Sequence, residues 1–146
     1  MSTLLDTNVL SELLRAAPEP TVLAWFAAQP APSAFVSAVT QAEMLLGARQ
    51  LPAGKRRQAL EAALHALFAE DFAGRVLPFD SAAAPHFADC AAARRAAGRP
   101  ISQFDAQIAA IARHHGMSIA TRNVGDFEGC GVTLVNPWRT SSGRAG

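Results

Sequence analysis

At 146 residues, half of them apolar and with a net charge of +1, the chain is long enough to bury a core without disulfides or a structural metal. One globular domain over 1–139 with a disordered tail at 140–146 is expected. An acid at position 6, no basic amino-terminal run and no apolar stretch near the roughly 18 residues of a membrane span argue against a signal peptide and a transmembrane helix, so a cytoplasmic protein is expected. Cys90 and Cys130 stand far apart without a Cys-x-x-Cys pair, which predicts reduced thiols rather than a zinc site or a disulfide framework. The net charge gives no sign of a nucleic-acid partner, but arginine outnumbers lysine twelve to one and the bases cluster locally.

In chain order, Thr3-Leu4-Leu5 reads as a strand that ends on Asp6, and Thr7 to Arg15 carries Val9, Leu10, Leu13 and Leu14 at helical spacing until Pro18 and Pro20 break it. A second helix holds Val22, Leu23, Trp25 and Phe26. Ser33 to Ser37 reads as a buried strand, followed by a helix from Val39 to Leu51. Lys55 to Phe72 forms one amphipathic helix, and Arg75 to Phe79 a third strand. An alanine-rich helix then runs to Ala97. Ser102 opens another that ends near Gly116, Met117 to Thr121 is a fourth strand, and Val132 to Val135 a fifth. Strands alternating with helices predict an α/β fold around a mostly parallel five-stranded sheet.

Four acids, Asp6, Glu43, Asp105 and Asp126, lie where strand ends or helix starts can aim them at one point on the carboxyl edge of such a sheet, where open α/β folds bind ligands. Each also has a plain structural reading. Asp6 can cap the helix that starts at Thr7, Asp105 has the capping-pair spacing from Ser102, and Asp126 sits among ordinary turn residues. Glu43 differs, because Val39, Ala42 and Leu46 at its i−4, i−1 and i+3 positions predict a buried face, where an unpaired carboxylate is costly. Two carboxylates about 4 Å apart repel by roughly 4 kcal/mol at an effective dielectric near 20, a conflict that a divalent ion removes. All-oxygen donors favour Mg²⁺ or Mn²⁺ over zinc, and phosphoryl chemistry is the usual use of such a site.

At these residues the chain resembles the PIN-domain ribonucleases, and within them the VapC toxins of toxin–antitoxin modules. Leu5-Asp6-Thr7-Asn8-Val9-Leu10, Thr40-Gln41-Ala42-Glu43, Phe104 to Ala110, Ala120-Thr121-Arg122-Asn123 through Asp126-Phe127, and Asn136-Pro137-Trp138 carry the resemblance over nearly the whole chain. It implies a PIN-like three-layer α/β/α fold and a Mg²⁺- or Mn²⁺-dependent endoribonuclease that cleaves RNA with metal-activated water. The implied metal ligands are Asp6 and Asp105, with Glu43 as ligand or water positioner and Asp126 as fourth acid. Thr7 and Asn8 support the first carboxylate and Thr121 orients the cluster. In some relatives the fourth acid stands at the position of Asn123, so Asn123 or Asp126 can be the nearer ligand.

Candidate RNA contacts are Arg122, which borders the pocket, Arg94, Arg95 and Arg99, with Lys55-Arg56-Arg57 and Arg113-His114-His115 as further clusters; any such run can also be a solvated helix face. The resemblance also implies a cognate antitoxin, docked on part of the Leu10, Leu13, Leu14 face, and a homodimer. Rival readings are an inactive PIN-like binding module, an aspartyl-nucleophile phosphatase, which usually has a second Asp where this chain has Asn8, and a phosphoryl-accepting signalling domain, whose late lysine is missing here.

Overall fold

The three residues Thr3–Leu5 form the central strand, β1, and all three are buried because β1 has neighbours on both sides and helices on both faces. The computed structural model describes residues 2–139, so the expected tail at 140–146 lies outside the described residues. The helices and strands follow in the order α1 (Thr7–Leu13), α2 (Pro20–Ala27), β2 (Ala34–Ser37), α3 (Ala38–Arg49), α4 (Lys55–Ala66), β3 (Val76–Leu77), α5 (Ala84–Ala96), α6 (Gln103–His115), β4 (Ser118–Ala120) and β5 (Leu134–Val135). The sheet order is β3-β2-β1-β4-β5 and every pairing is parallel. β1 pairs with β4 through Thr3↔Ser118, Leu4↔Ile119 and Leu5↔Ala120, so both strands deliver their next residues, Asp6 and Thr121, to the same edge.

Alternation along the strands builds the three layers. Leu4 and Ile119 point into one core with Ile108, Ala109, Ile111 and Ala112 of α6, while their neighbours Leu5 and Ala120 point into the other with Val9, Leu10, Leu64 and Phe68. The small side chains of α6 leave room for α5 to pack against it. Ser102 caps α6 by accepting from the Asp105 N–H at 3.1 Å, and Gly116 ends it at φ 66°, a conformation that suits glycine.

Two local expectations fail for physical reasons. The predicted single helix from Lys55 to Phe72 is α-helical only to Ala66 and then widens into a π-helical turn, Leu67–Asp71, closed by Phe72 N–H donating to the Leu67 carbonyl at 2.9 Å. The wider turn brings Leu67, Phe68 and Phe72 into one core with Leu64. Cys90 and Cys130 are not free thiols: they form a disulfide with Cα atoms 4.8 Å apart, because α5 and the turn after Phe127 meet on one face although far apart in sequence. Among the described residues no helix is long and apolar enough to cross a membrane.

Candidate metal centre

Asp6 leaves β1 at the sheet edge with only 7% of its surface exposed. One oxygen, Oδ1, accepts from Thr7 N–H at 2.8 Å, and Oδ2 accepts from the Thr121 hydroxyl at 2.8 Å and from the Asn8 amide at 3.4 Å. Asp6 therefore caps α1 and faces the site at once; the two readings of this residue do not exclude each other. Thr121 is fully buried, and its oxygen also accepts from Asn123 N–H at 3.0 Å, which ties the turn of the fourth motif to the first carboxylate. Asn123 is exposed and starts the 3-10 turn Val124–Asp126, which brings Asp126 back toward the sheet edge.

Glu43 reaches the site by a different route from the one its neighbours suggest. Val39 is buried, but Ala42 is exposed and Leu46 is 56% exposed, so the predicted buried face of α3 is open to solvent. Glu43 is instead held through the Thr7 hydroxyl, which donates to its Oε1 at 2.7 Å and also lies 2.9 Å from the Thr40 hydroxyl. Thr7 supports the second acid with its side chain and the first only with its backbone. Thr40, buried and itself capped by Ser37 at 3.0 Å, is a site residue the sequence reading overlooked; its place three residues before Glu43, one helical turn away, was the available signal.

The charges are mutually felt. Burial pushes the Asp6 carboxyl above its ordinary range, hydrogen bonds from Thr121 and Thr7 pull it back, and the charges of Glu43 and Asp126 raise it again. Burial likewise raises Asp105, its contact with Ser102 lowers it, and Asp6, Asp126 and Glu43 all add repulsion. Acids from β1, α3, α6 and the turn after β4 thus share one field, with oxygen donors suited to a hard cation. Among the described residues, however, no three acidic, histidine or cysteine side chains stand close enough together to hold a metal ion as they are. By the chemistry of its all-oxygen donors the set fits Mg²⁺ or Mn²⁺.

Of the arginines expected at an RNA surface, Arg94 is a correction. It is 6% exposed, with Nε on the Arg99 carbonyl at 2.6 Å and Nη1 on the carbonyls of Asp126 at 2.6 Å and Glu128 at 3.2 Å, so it braces the loop that carries Asp126 and presents no fork to solvent. Arg99 is exposed but also bound inward, to the Gly125 carbonyl at 3.1 Å and Glu128 at 3.3 Å. Arg95 is exposed on α5. Arg57 pairs with Glu61 and Arg113 with Asp89. Arg122 is exposed, its N–H donates to Asn8 Oδ1 at 3.2 Å, and its guanidinium lies 5.0 Å from the centre of the Trp138 ring. Glu12, another overlooked residue, is buried on α1 and pins the next segment by accepting from Glu19 N–H at 2.8 Å.

A family model for the PIN domain matches residues 3–128. The VapC ribonuclease Y4jK of Sinorhizobium fredii is 44% identical over 134 residues, which cover 92% of this chain and 96% of that protein. Toxin FitB of Neisseria gonorrhoeae is 39% identical over 135 residues, covering 92% of this chain and 97% of that one. The solved structure of FitAB bound to an IR36 DNA fragment superposes with a TM-score of 0.88 at 39% identity, over 94% of this chain and 96% of the other.

Proposed function

This chain belongs to the PIN-domain family, and from that membership we propose that it is a divalent-metal-dependent endoribonuclease of the VapC type, the toxin of a toxin–antitoxin pair. The observation that carries this reading is that Thr7 ties two acids together at the carboxyl edge of a parallel sheet, its N–H on Asp6 at 2.8 Å and its hydroxyl on Glu43 at 2.7 Å. We assign Mg²⁺ or Mn²⁺ as cofactor, held by Asp6 and Asp105 with Asp126 as the fourth acid. When bound, such an ion supplies positive charge to the phosphate oxygens and makes a nearby water more acidic.

The protein's own groups do the rest. Thr121 and Thr7 fix Asp6, and Thr7 fixes Glu43 by one oxygen, leaving the other to orient the attacking water and take its proton. Attack on phosphorus leaves a 5′-phosphate and a 3′-hydroxyl. Asn123 acts from behind, through its N–H on Thr121. Arg122 is the phosphate contact at the rim, with Arg95 a second exposed cation.

The antitoxin we assign to the cleft of about 280 Å³ between α1, α2 and the π-helical turn, lined by Leu10, Leu13, Leu14, Phe26 and Phe72. The similarity to FitB in the FitAB structure supports a protein partner, and the apolar lining of the cleft carries its placement. A homodimer would cover the exposed Leu45 and Leu46 of α3 and Phe104 of the adjacent α6. A cytoplasmic setting follows from RNA as substrate and no longer from the cysteines, which are paired.

A second reading, a PIN-like binding module without catalysis, is favoured by one observation, the lack of a closed three-ligand set among the described residues. Incubating the purified protein with structured and single-stranded RNAs separates the two. Cleavage with Mg²⁺ or Mn²⁺ that stops in chelator is expected; intact RNA under every condition, or cleavage that persists in chelator, removes the metal-nuclease reading.

A further inference from the structure

The Arg122 guanidinium is placed by more than its own chain. Arg122 N–H donates to Asn8 Oδ1 at 3.2 Å, one residue after the hydroxyl that binds Asp6, so its backbone is fixed relative to the acid cluster. From the other side, the Asn136 amide reaches the Arg122 carbonyl at 3.5 Å and Asn136 Oδ1 accepts from Trp138 N–H at 3.0 Å. Pro137 between them is buried and Trp138 packs against the core that holds Leu5 and Ala120. The turn Asn136–Trp138 therefore holds the indole under Arg122, 5.0 Å from ring centre to guanidinium carbon.

Stacking on an aromatic face engages the flat side of a guanidinium and leaves its N–H donors, which lie in the plane, open to an anion. Among the described residues those donors make no hydrogen bond. Glu12 feels the Arg122 charge, but its hydrogen bonds go to Glu19 N–H at 2.8 Å and Arg15 at 3.0 Å. Arg94 and Arg99, by contrast, spend their donors on backbone carbonyls. A long side chain held in one place before binding loses less freedom when it binds.

We propose that Trp138 is a positioning residue: its ring holds Arg122 at the rim of the acid pocket as a preformed contact for an RNA phosphate beside the one that is cut. The proposal rests on the ribonuclease reading for its ligand, and binding and cleavage are therefore measured apart. Binding is read by anisotropy of a short fluorescein-labelled single-stranded RNA of mixed sequence, in an Asp105→Asn background and across a KCl series.

Arg122→Ala is expected to weaken binding about tenfold and to lower the salt dependence by about 0.7 of a counterion. Trp138→Leu, which keeps the charge, is expected to weaken it about fivefold, and Trp138→Phe to restore it within about twofold, because phenylalanine still offers a ring face. The double variant Arg122→Ala/Trp138→Leu should bind no worse than Arg122→Ala alone, the mark of a residue acting through the other. In the active protein, Trp138→Leu should raise KM and leave kcat nearly unchanged. Wild-type binding by Trp138→Leu, or additive losses in the double variant, overturns the proposal. If Trp138→Leu does not fold, Arg122→Lys decides: an ammonium lacks the flat face, and binding equal to that of arginine sinks the idea. Should RNA bind with this pattern while active protein cleaves none, the nuclease reading fails and the positioning role of Trp138 stands.

Discussion

Asp105→Asn is expected to lower RNA cleavage by about a thousandfold, some 4 kcal/mol of barrier, while making the metal-free protein more stable than the wild type. The two effects have one cause. Asp105 sits in the combined field of Asp6, Asp126 and Glu43, and replacing its carboxylate with an amide of the same shape removes that repulsion and a donor for the cation together. Its backbone role, receiving the Ser102 cap through its N–H, is untouched by the change. Asp6→Asn should be equally inactive but without the gain in stability. Both Asp6 oxygens are used as acceptors, from Thr7 N–H and from Thr121, and an amide nitrogen in either place meets a donor or an oxygen that already accepts from Asn123. Rate measurements beside urea denaturation check the pair; loss of activity that tracks loss of fold in both variants would mean that the acids are structural.

Metal-free protein should lose stability as the pH rises through the carboxylate range, and Mn²⁺ should restore it at neutral pH. Asp6 and Asp105 are both raised in the folded state above the value of 3.8 that they have when free. Between that value and the raised one the folded protein holds protons that the unfolded chain has released, so stability falls as pH rises through this window and stays low above it. Glu12 acts in the opposite sense: the Glu19 N–H, opposed by burial and helped by Arg15, holds it low, and its contribution is lost as pH falls through that lowered value. The difference between wild type and Asp105→Asn isolates the acid cluster, and that gap should open as pH rises above the free value and then level off. Saturating Mn²⁺ at about a hundred times its dissociation constant should stabilise the wild type by about 2.7 kcal/mol and Asp105→Asn by much less. Denaturation midpoints across pH, with and without the ion, provide the check.

The parts of the site that local pattern specifies were legible in the chain. Asp6 ends an apolar triplet and precedes a helix, and Ser102 with Asp105 has cap spacing, so strand end and helix start follow from short-range rules. The parallel pairing of Leu5 with Ala120 sets β1 beside β4 and so puts Asp6 and Thr121 at one edge.

What stayed hidden is set by contacts between distant segments. Arg94 stands in an alanine-rich helix and reads as part of a charged surface; only the loop of residues 123–130, folded over α5, turns it into a buried brace. That same loop brings Cys130 to Cys90. Glu43 illustrates the limit of periodicity, which places Val39, Ala42 and Leu46 on one face of α3 but cannot say that a neighbouring element covers only part of it. The link between Arg122 and Trp138 needs the last described turn to return to the centre of the sheet edge, which no spacing rule reports.

Calorimetric titration of Mn²⁺ into the wild type, Asp6→Asn, Asp105→Asn and the double variant at neutral pH asks whether the gathered carboxylates bind a cation. A saturable site in the wild type that is weakened at least about tenfold in each single variant and lost in the double one is predicted, since each removes a charged oxygen donor from the same shell. Equal Mn²⁺ binding by the wild type and the double variant, or none by either, would contradict a shared metal centre at this sheet edge.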